Sequence, residues 1–257
     1  MSMNFYLAAA TDIGPVKKTN QDSYCVRSYR SSQGPLVFAI LCDGMGGLAK
    51  GEVASASVIN AYLNWTETRL PQLCAAPLQA EELKRDWIKL AVQYNEKIKY
   101  YGSCCGVALG TTLTAILLTE TAYYVINVGD SRTYELKDSL RQITKDHSFV
   151  AREMELGRMT PEQAKVDPRR NVLLQCIGAS DTVEPDFFTG PCQKDAVYFL
   201  CSDGFRHEIT AEEISKALRP TDMVSEALLE QRLKELIELN KTRHERDNIS
   251  VVAVRSY

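Results

Sequence analysis

The sequence predicts an α+β protein in which sheets and helices form separate layers, and three observations carry that prediction. First, apolar runs of strand length, rich in β-branched and aromatic residues, recur along the 257 residues. Second, amphipathic helical stripes come in two pairs. Third, strands and helices arrive in blocks and not in strict alternation, which disfavours a doubly wound parallel sheet.

In chain order, the strands are expected near 4–11, 23–29, 36–42, 111–118, 122–128, 132–136, 171–177, 184–189, 196–202 and 248–254. Ser31 to Pro35 reads as the turn between the second and third. Helices are expected over 51–65 and 80–101. The second carries Leu83, Trp87, Leu90, Ala91, Tyr94 and Ile98 at helical spacing. A later pair spans 211–218 and 222–240, with Leu228, Leu229, Leu233, Leu236 and Ile237 as its core stripe. Between Asp146 and Arg170 the chain is polar and carries Pro161 and Pro168. That segment reads as an insertion with one short helix, either a flap near the site over 148–170 or a plain surface excursion. No repeat or linker divides the chain, so 1–257 reads as one domain.

Composition narrows the function. At 45% hydrophobic and 25% charged, the chain is ordinary for a globular protein. A net charge of −3 and the lack of a basic run argue against nucleic acid. No apolar stretch approaches the roughly 20 residues that span a bilayer, so no membrane is expected. The first residues lack the basic region of a signal peptide. Eight cysteines without a C-x-x-C motif read as reduced thiols of a cytoplasmic protein. A monomer is the default expectation.

Acids mark the ends of the strands. Leu36 to Cys42 leads into Asp43-Gly44, Tyr123 to Val128 into Gly129-Asp130, and Val197 to Ser202 into Asp203-Gly204. Asp22 and Asp247 stand just before the runs 23–26 and 249–254. Antiparallel pairing sets the end of one strand beside the start of the next, so all five carboxylates are expected at one edge of a sheet. A hairpin returns Asp22 and Asp43 to the same end. The loop Asp43-Gly44-Met45-Gly46-Gly47 lets backbone groups turn toward an ion without Cβ obstruction. Oxygen ligands alone, with no Cys/His pattern, point to Mg²⁺ or Mn²⁺. Two such ions activate water and clamp a phosphoryl group with no protein nucleophile. The chain has neither G-x-S-x-G nor a P-loop, so the constellation implies metal-assisted hydrolysis of a phosphoester.

Thr11-Asp12-Ile13-Gly14, Thr19-Asn20-Gln21-Asp22, Asp43-Gly44-Met45-Gly46-Gly47, Gly110-Thr111-Thr112, Val128-Gly129-Asp130-Ser131-Arg132, Asp146-His147-Ser148, Cys201-Ser202-Asp203-Gly204 and Arg246-Asp247-Asn248-Ile249-Ser250 stand in this order. They resemble the ordered motifs of the metal-dependent, type 2C Ser/Thr protein phosphatases, bacterial members in particular, from about residue 8 to 254. The resemblance implies a β-sandwich of two antiparallel sheets flanked by pairs of α-helices. It also implies dephosphorylation of phosphoserine and phosphothreonine in proteins that are targets of a Ser/Thr kinase. Carried over by motif, Asp43 bridges two catalytic ions and the Gly44 carbonyl ligates one. Asp203 and Asp247 complete the other, so these acids act through water held by the ions. Asp22 holds that water from outside, and Asp130 joins Asp203 at a third, weaker ion site.

Three positions depart from the family pattern. Lys17 stands where an Arg often grips the substrate phosphate, and a lysine attracts phosphate without the bidentate fork. Gln21 replaces the usual Glu, which removes one negative charge beside the ions. Met45 replaces a His that some members offer as an acid, and His207 is the nearby candidate acid of this chain. His147 is expected to order the entry to the flap. Two other readings compete: a non-catalytic regulatory module of the same fold, and a small-molecule phosphomonoesterase.

Overall fold

The computed structural model describes residues 3–45 and 50–257. Strands β1 (Phe5–Asp12), β2 (Ser23–Ser31) and β3 (Gly34–Cys42) lead to helices α1 (Gly51–Thr68), α2 (Leu70–Leu73) and α3 (Ala80–Cys105). Next come β4 (Leu113–Leu118), β5 (Ala122–Val128), β6 (Arg132–Leu136) and β7 (Leu140–Gln142). Helices α4 (Phe149–Glu155) and α5 (Pro161–Val166) precede β8 (Asp186–Pro191) and β9 (Ala196–Cys201). The chain closes with the single turn α6 (Asp203–Arg206), helices α7 (Ala211–Ala217) and α8 (Glu226–Thr242), and β10 (Ile249–Ser256).

The strands form two antiparallel five-stranded sheets, ordered β1-β10-β9-β6-β7 and β2-β3-β4-β5-β8. This is a sandwich flanked by helices, as the type 2C resemblance implies. Strand β3 shows why its sequence is apolar throughout. Successive side chains point to opposite faces, and both faces are covered. Phe38, Ile40 and Cys42 pack with Val58, Tyr62 and Trp87 of the α1–α3 layer. Val37, Ala39 and Leu41 pack against Tyr198, Leu200, Val252 and Val254 of the other sheet. On the far side, Leu229, Leu233, Leu236 and Ile237 of α8 bury against Phe199, Val251 and Ala253. Trp87 anchors the first helical layer, with the rings of Phe38, Trp65, Tyr62 and Phe187 at 5.6–6.2 Å.

Several boundaries differ from the expectation. Residues 171–177 form no ladder. Leu173 and Ile177 make isolated bridges to Ser148 and Thr111, so the run is an extended strap between the flap and the body. The next strand begins at Asp186 and not at 184. Strand β7 was missed because three residues, Leu-Arg-Gln, carry too little alternation to read. The segment 148–170 holds two short helices where one was expected. Thr160 caps the second with a capping box to Gln163. The 31–35 turn is tighter than expected: Ser31 pairs with Gly34 across two residues, and Gly34 takes φ +108°, a value glycine adopts without strain.

Candidate metal centre

The five acids do meet, but from two sheets and not along the edge of one. Asp22 and Asp43 flank the hairpin β2–β3, and Asp130 follows β5 of the same sheet. Asp203 follows β9 and Asp247 precedes β10 in the other sheet. The site therefore lies at one end of the sandwich, where the sheets open.

Asp43 is held by its backbone. Thr112 Oγ1 accepts from its amide at 2.9 Å, while the Thr112 amide and Thr111 Oγ1 both donate to its carbonyl at 2.9 Å. Gly44 donates to the Gln21 carbonyl at 3.2 Å. A Cβ at Gly44 would strike the carbonyls of Gln21 and Gly51, so only glycine lets these loops close. Gly46 and Gly47 lie outside the described residues.

Asn248 staples the opposite side. Its side-chain amide donates to the carbonyls of Ile13 and Thr19 at 2.8 and 3.2 Å, and its oxygen accepts from the Gln21 amide at 2.9 Å. Gly14, at φ +75°, passes so close to the Asp247 carbonyl that a side chain would collide with it. The loop that carries Asp22 is thus fastened to the loop that carries Asp247.

The electrostatics of this end are unbalanced. Burial foremost, then Asp22, Asp203, Asp130 and Asp247, push the Asp43 carboxyl well above the usual range. Burial, Asp203 and Asp247 push Asp22 up to about 7, against the hydroxyls of Ser250 and Ser202. Asp130 rises to about 6 through burial and Asp203, with Arg206 opposing. Neither oxygen of Asp22, nor Oδ1 of Asp203, has a hydrogen bond of good geometry, although all three are shielded from solvent. Acids left unpartnered and self-repelling at a buried site fit a bound cation. Among the described residues, no three His, Cys, Asp or Glu side chains stand together as a complete ligand set.

Lys17 reaches into the cluster, its Nζ 2.6 Å from Asp247 Oδ1. Burial works against its charge, but Asp247, Asp43 and Asp203 outweigh burial and raise its pKa. His207 lies between Asp203 Oδ2 at 3.7 Å and Glu245 Oε2 at 3.3 Å. Burial again disfavours the charged form, and Glu245 and Asp203 together raise the pKa. Gln21 turns its amide toward Glu52 Oε2 at 3.4 Å.

Three participants escaped the sequence reading. Glu245 accepts from the amides of Arg246 and Asp247 at 2.7 and 2.9 Å and so shapes the loop that presents Asp247. Glu52 opens α1 beside Gln21. Arg206 donates to Asp130. Their one visible signal is charge within five residues of a motif acid or of the glycine loop.

The family model of protein phosphatase 2C matches residues 16–248. This chain belongs to the protein phosphatase 2C family. Among its relatives in that family, the Ser/Thr phosphatase stp of Listeria monocytogenes is 35% identical over 221 residues, 84% of each chain. The crystal structure of the Ser/Thr phosphatase Stp1 of Staphylococcus aureus aligns with a TM-score of 0.81 at 27% identity, over 98% of this chain and 94% of that one. The catalytic domain of the Ser/Thr protein phosphatase PstP, solved in complex with two manganese ions, aligns at 0.77 with 30% identity over 99% of each chain. In fold and in its class as a protein-serine/threonine phosphatase, the chain is a protein phosphatase 2C.

Proposed function

We propose that the acid end of the sandwich removes phosphate from phosphoserine and phosphothreonine of proteins with two Mn²⁺ or Mg²⁺ ions, and that Asp43, Asp203, Asp247 and the Gly44 carbonyl hold them. When bound, such ions supply an activated water and neutralise charge on the phosphoryl group. The observation that carries this reading is the set of shielded, unpartnered oxygens of Asp22 and Asp203 beside Asp43, whose ionisation burial and four other acids oppose. Asp22 stands behind the ligands and orients the water. Lys17, a cation already at the cluster, draws the phosphate in. Among the described residues His207 is the one imidazole that pairs with a site acid, and it serves as acid toward the leaving group.

The segment 148–170 acts as a flap over protein substrates. Ala151, Arg152, Met154 and Glu155 line a groove of about 850 Å³ between α4 and the Asp146–His147 loop. Residues 1–257 work as a single catalytic unit. Among the described residues no helix is long and apolar enough to cross a membrane. Eight free cysteines suit a reducing compartment such as the cytoplasm, and we take the chain to act there as a monomer on targets of a Ser/Thr kinase.

The test is hydrolysis of p-nitrophenyl phosphate with Mn²⁺, with Mg²⁺ and with EDTA. Activity is expected to require a metal and to fall more than about a hundredfold in Asp203→Asn, beyond the range typical of outer ligand partners. Full activity in EDTA would sink the reading. Phosphothreonine peptides are expected to be better substrates than sugar phosphates.

A further inference from the structure

The five acids are not equally unmatched. Arg206 Nη2 donates to the Asp130 carbonyl at 3.1 Å and to Asp130 Oδ2 at 3.4 Å. The same nitrogen lies 3.7 Å from Asp146 Oδ2. Asp146 is in turn gripped by both arms of Arg132, at 2.8 and 2.7 Å, and by Gln142 at 3.1 Å. The side chains of Asp130, Asp146 and Arg206 are 10%, 7% and 14% exposed. Two carboxylates and two guanidinium groups therefore form a chain that is neutral by itself and shielded from solvent at all but the Arg132 end, where the side chain is 24% exposed. On the other side of Asp203, the acids Asp22, Asp43 and Asp247 have Lys17 as their one close Lys or Arg ion pair among the described residues.

Local sequence explains why Arg206 arrives there. It lies three residues after Asp203 in the single turn α6, and side chains three apart share a helical face. The end of β5 presents Asp130 to that face. A guanidinium keeps its charge at every accessible pH and is planar enough to bridge two acids.

We infer that Arg206 is a built-in counter-cation for the Asp130 end of the acid cluster, so that this end takes no divalent ion and the chain loads two ions, not three. The inference rests on the proposed metal reading and departs from the third site that the type 2C resemblance places at Asp130. An ion drawn between Asp130 and Asp203 would have to displace a buried guanidinium or sit against its fixed charge, and like charges at such short range in a shielded site repel strongly. Asp130 is thereby a structural acid that positions the Asp203 turn through Arg206.

The test counts ions. Mn²⁺ is titrated into the metal-free protein, with bound ions followed by calorimetry and free ions by electron paramagnetic resonance. Wild type is expected to saturate at two ions per chain. Arg206→Gln is expected to gain a third, which is lost again in Arg206→Gln/Asp130→Asn. Arg206→Lys, which keeps the charge, is expected to stay at two. Three ions in wild type, or two in folded Arg206→Gln, would overturn the inference. No bound ion in wild type would overturn the metal reading along with it, and a count of zero tells that failure apart. Near-UV circular dichroism reports folding. If Arg206→Gln does not fold, the wild-type count decides alone.

Discussion

Glu213 and Asp22 are both carboxylates beside charged neighbours, and the fold treats them in opposite ways. Glu213, on α7, is gripped by both arms of Arg243 and by the Thr210 amide, which draw its pKa down to about 2. Asp167 in the flap is drawn to about 2 by Arg169 in the same manner. Asp22 and Asp130, at the end of the sandwich, rise to about 7 and about 6, first through burial and then through other acids. Glu213 and Asp167 are each matched with an arginine. At the sandwich end the fold assembles negative charge and leaves most of it unanswered. A region of that kind costs stability until something from outside answers it, so the function sits where the internal pairing stops.

Metal removal gives the largest effect on this contrast. Saturating Mn²⁺ at about 100 times Kd is expected to stabilise the chain by ~2.7 kcal/mol per ion, seen as a large rise in Tm over the EDTA-treated protein. Asp43→Asn is expected to abolish that rise while leaving the metal-free protein at least as stable, because it replaces a buried carboxyl whose ionisation burial and the neighbouring acids already oppose. A variant that keeps the full Mn²⁺ response would break the contrast.

Lys17 is the surface-type ion pair inside the unmatched region, and its removal sharpens the comparison at intermediate size. Lys17→Ala is expected to raise KM for p-nitrophenyl phosphate by roughly fivefold to tenfold with kcat little changed, the signature of lost ground-state binding. An unchanged KM would make Lys17 a solvated charge.

The smallest effects belong to the matched region. Thr210→Ala removes the cap of α7 and is expected to cost about 1 kcal/mol. Glu213 has a folded pKa below its unfolded value, so its pair lends stability above about pH 4.5 and loses it as pH falls toward 2. Glu213→Gln is accordingly expected to lower Tm at pH 6 and to leave it unchanged at pH 2.

The site was legible in sequence because each acid sits at the end of an apolar run, and strand ends converge wherever strands pair. Which strands pair was not legible. Alternation fixes a strand's faces but not its neighbours, so acids from two sheets were expected on one. The strap 171–177 looked like a strand for a related reason. Cys176 and Ile177 are buried while Val172 and Leu174 are exposed, so the run is extended and half-covered without belonging to a sheet. Arg206 and Glu245 were invisible as participants because a charge names its partner only in three dimensions. The tight approach at Gly44 was readable, since three glycines in five residues have few other uses.

Strand β1 pairs along its whole length with β10, from Phe5 against Ser256 to Asp12 against Ile249. Asn248, at the head of β10, then fastens the loop that presents Asp22. Contacts so distant along the chain form late, because the loop between them must close first. On a ribosome, Asp22 and Asp43 emerge long before Asp247 and the strand that seats it. A growing chain would thus carry four of the five acids before the strand that seats the fifth, and the cluster would be complete only once that strand docks. The pairing of the first strand with the last thus ties the acid cluster to contacts that span nearly the whole described chain.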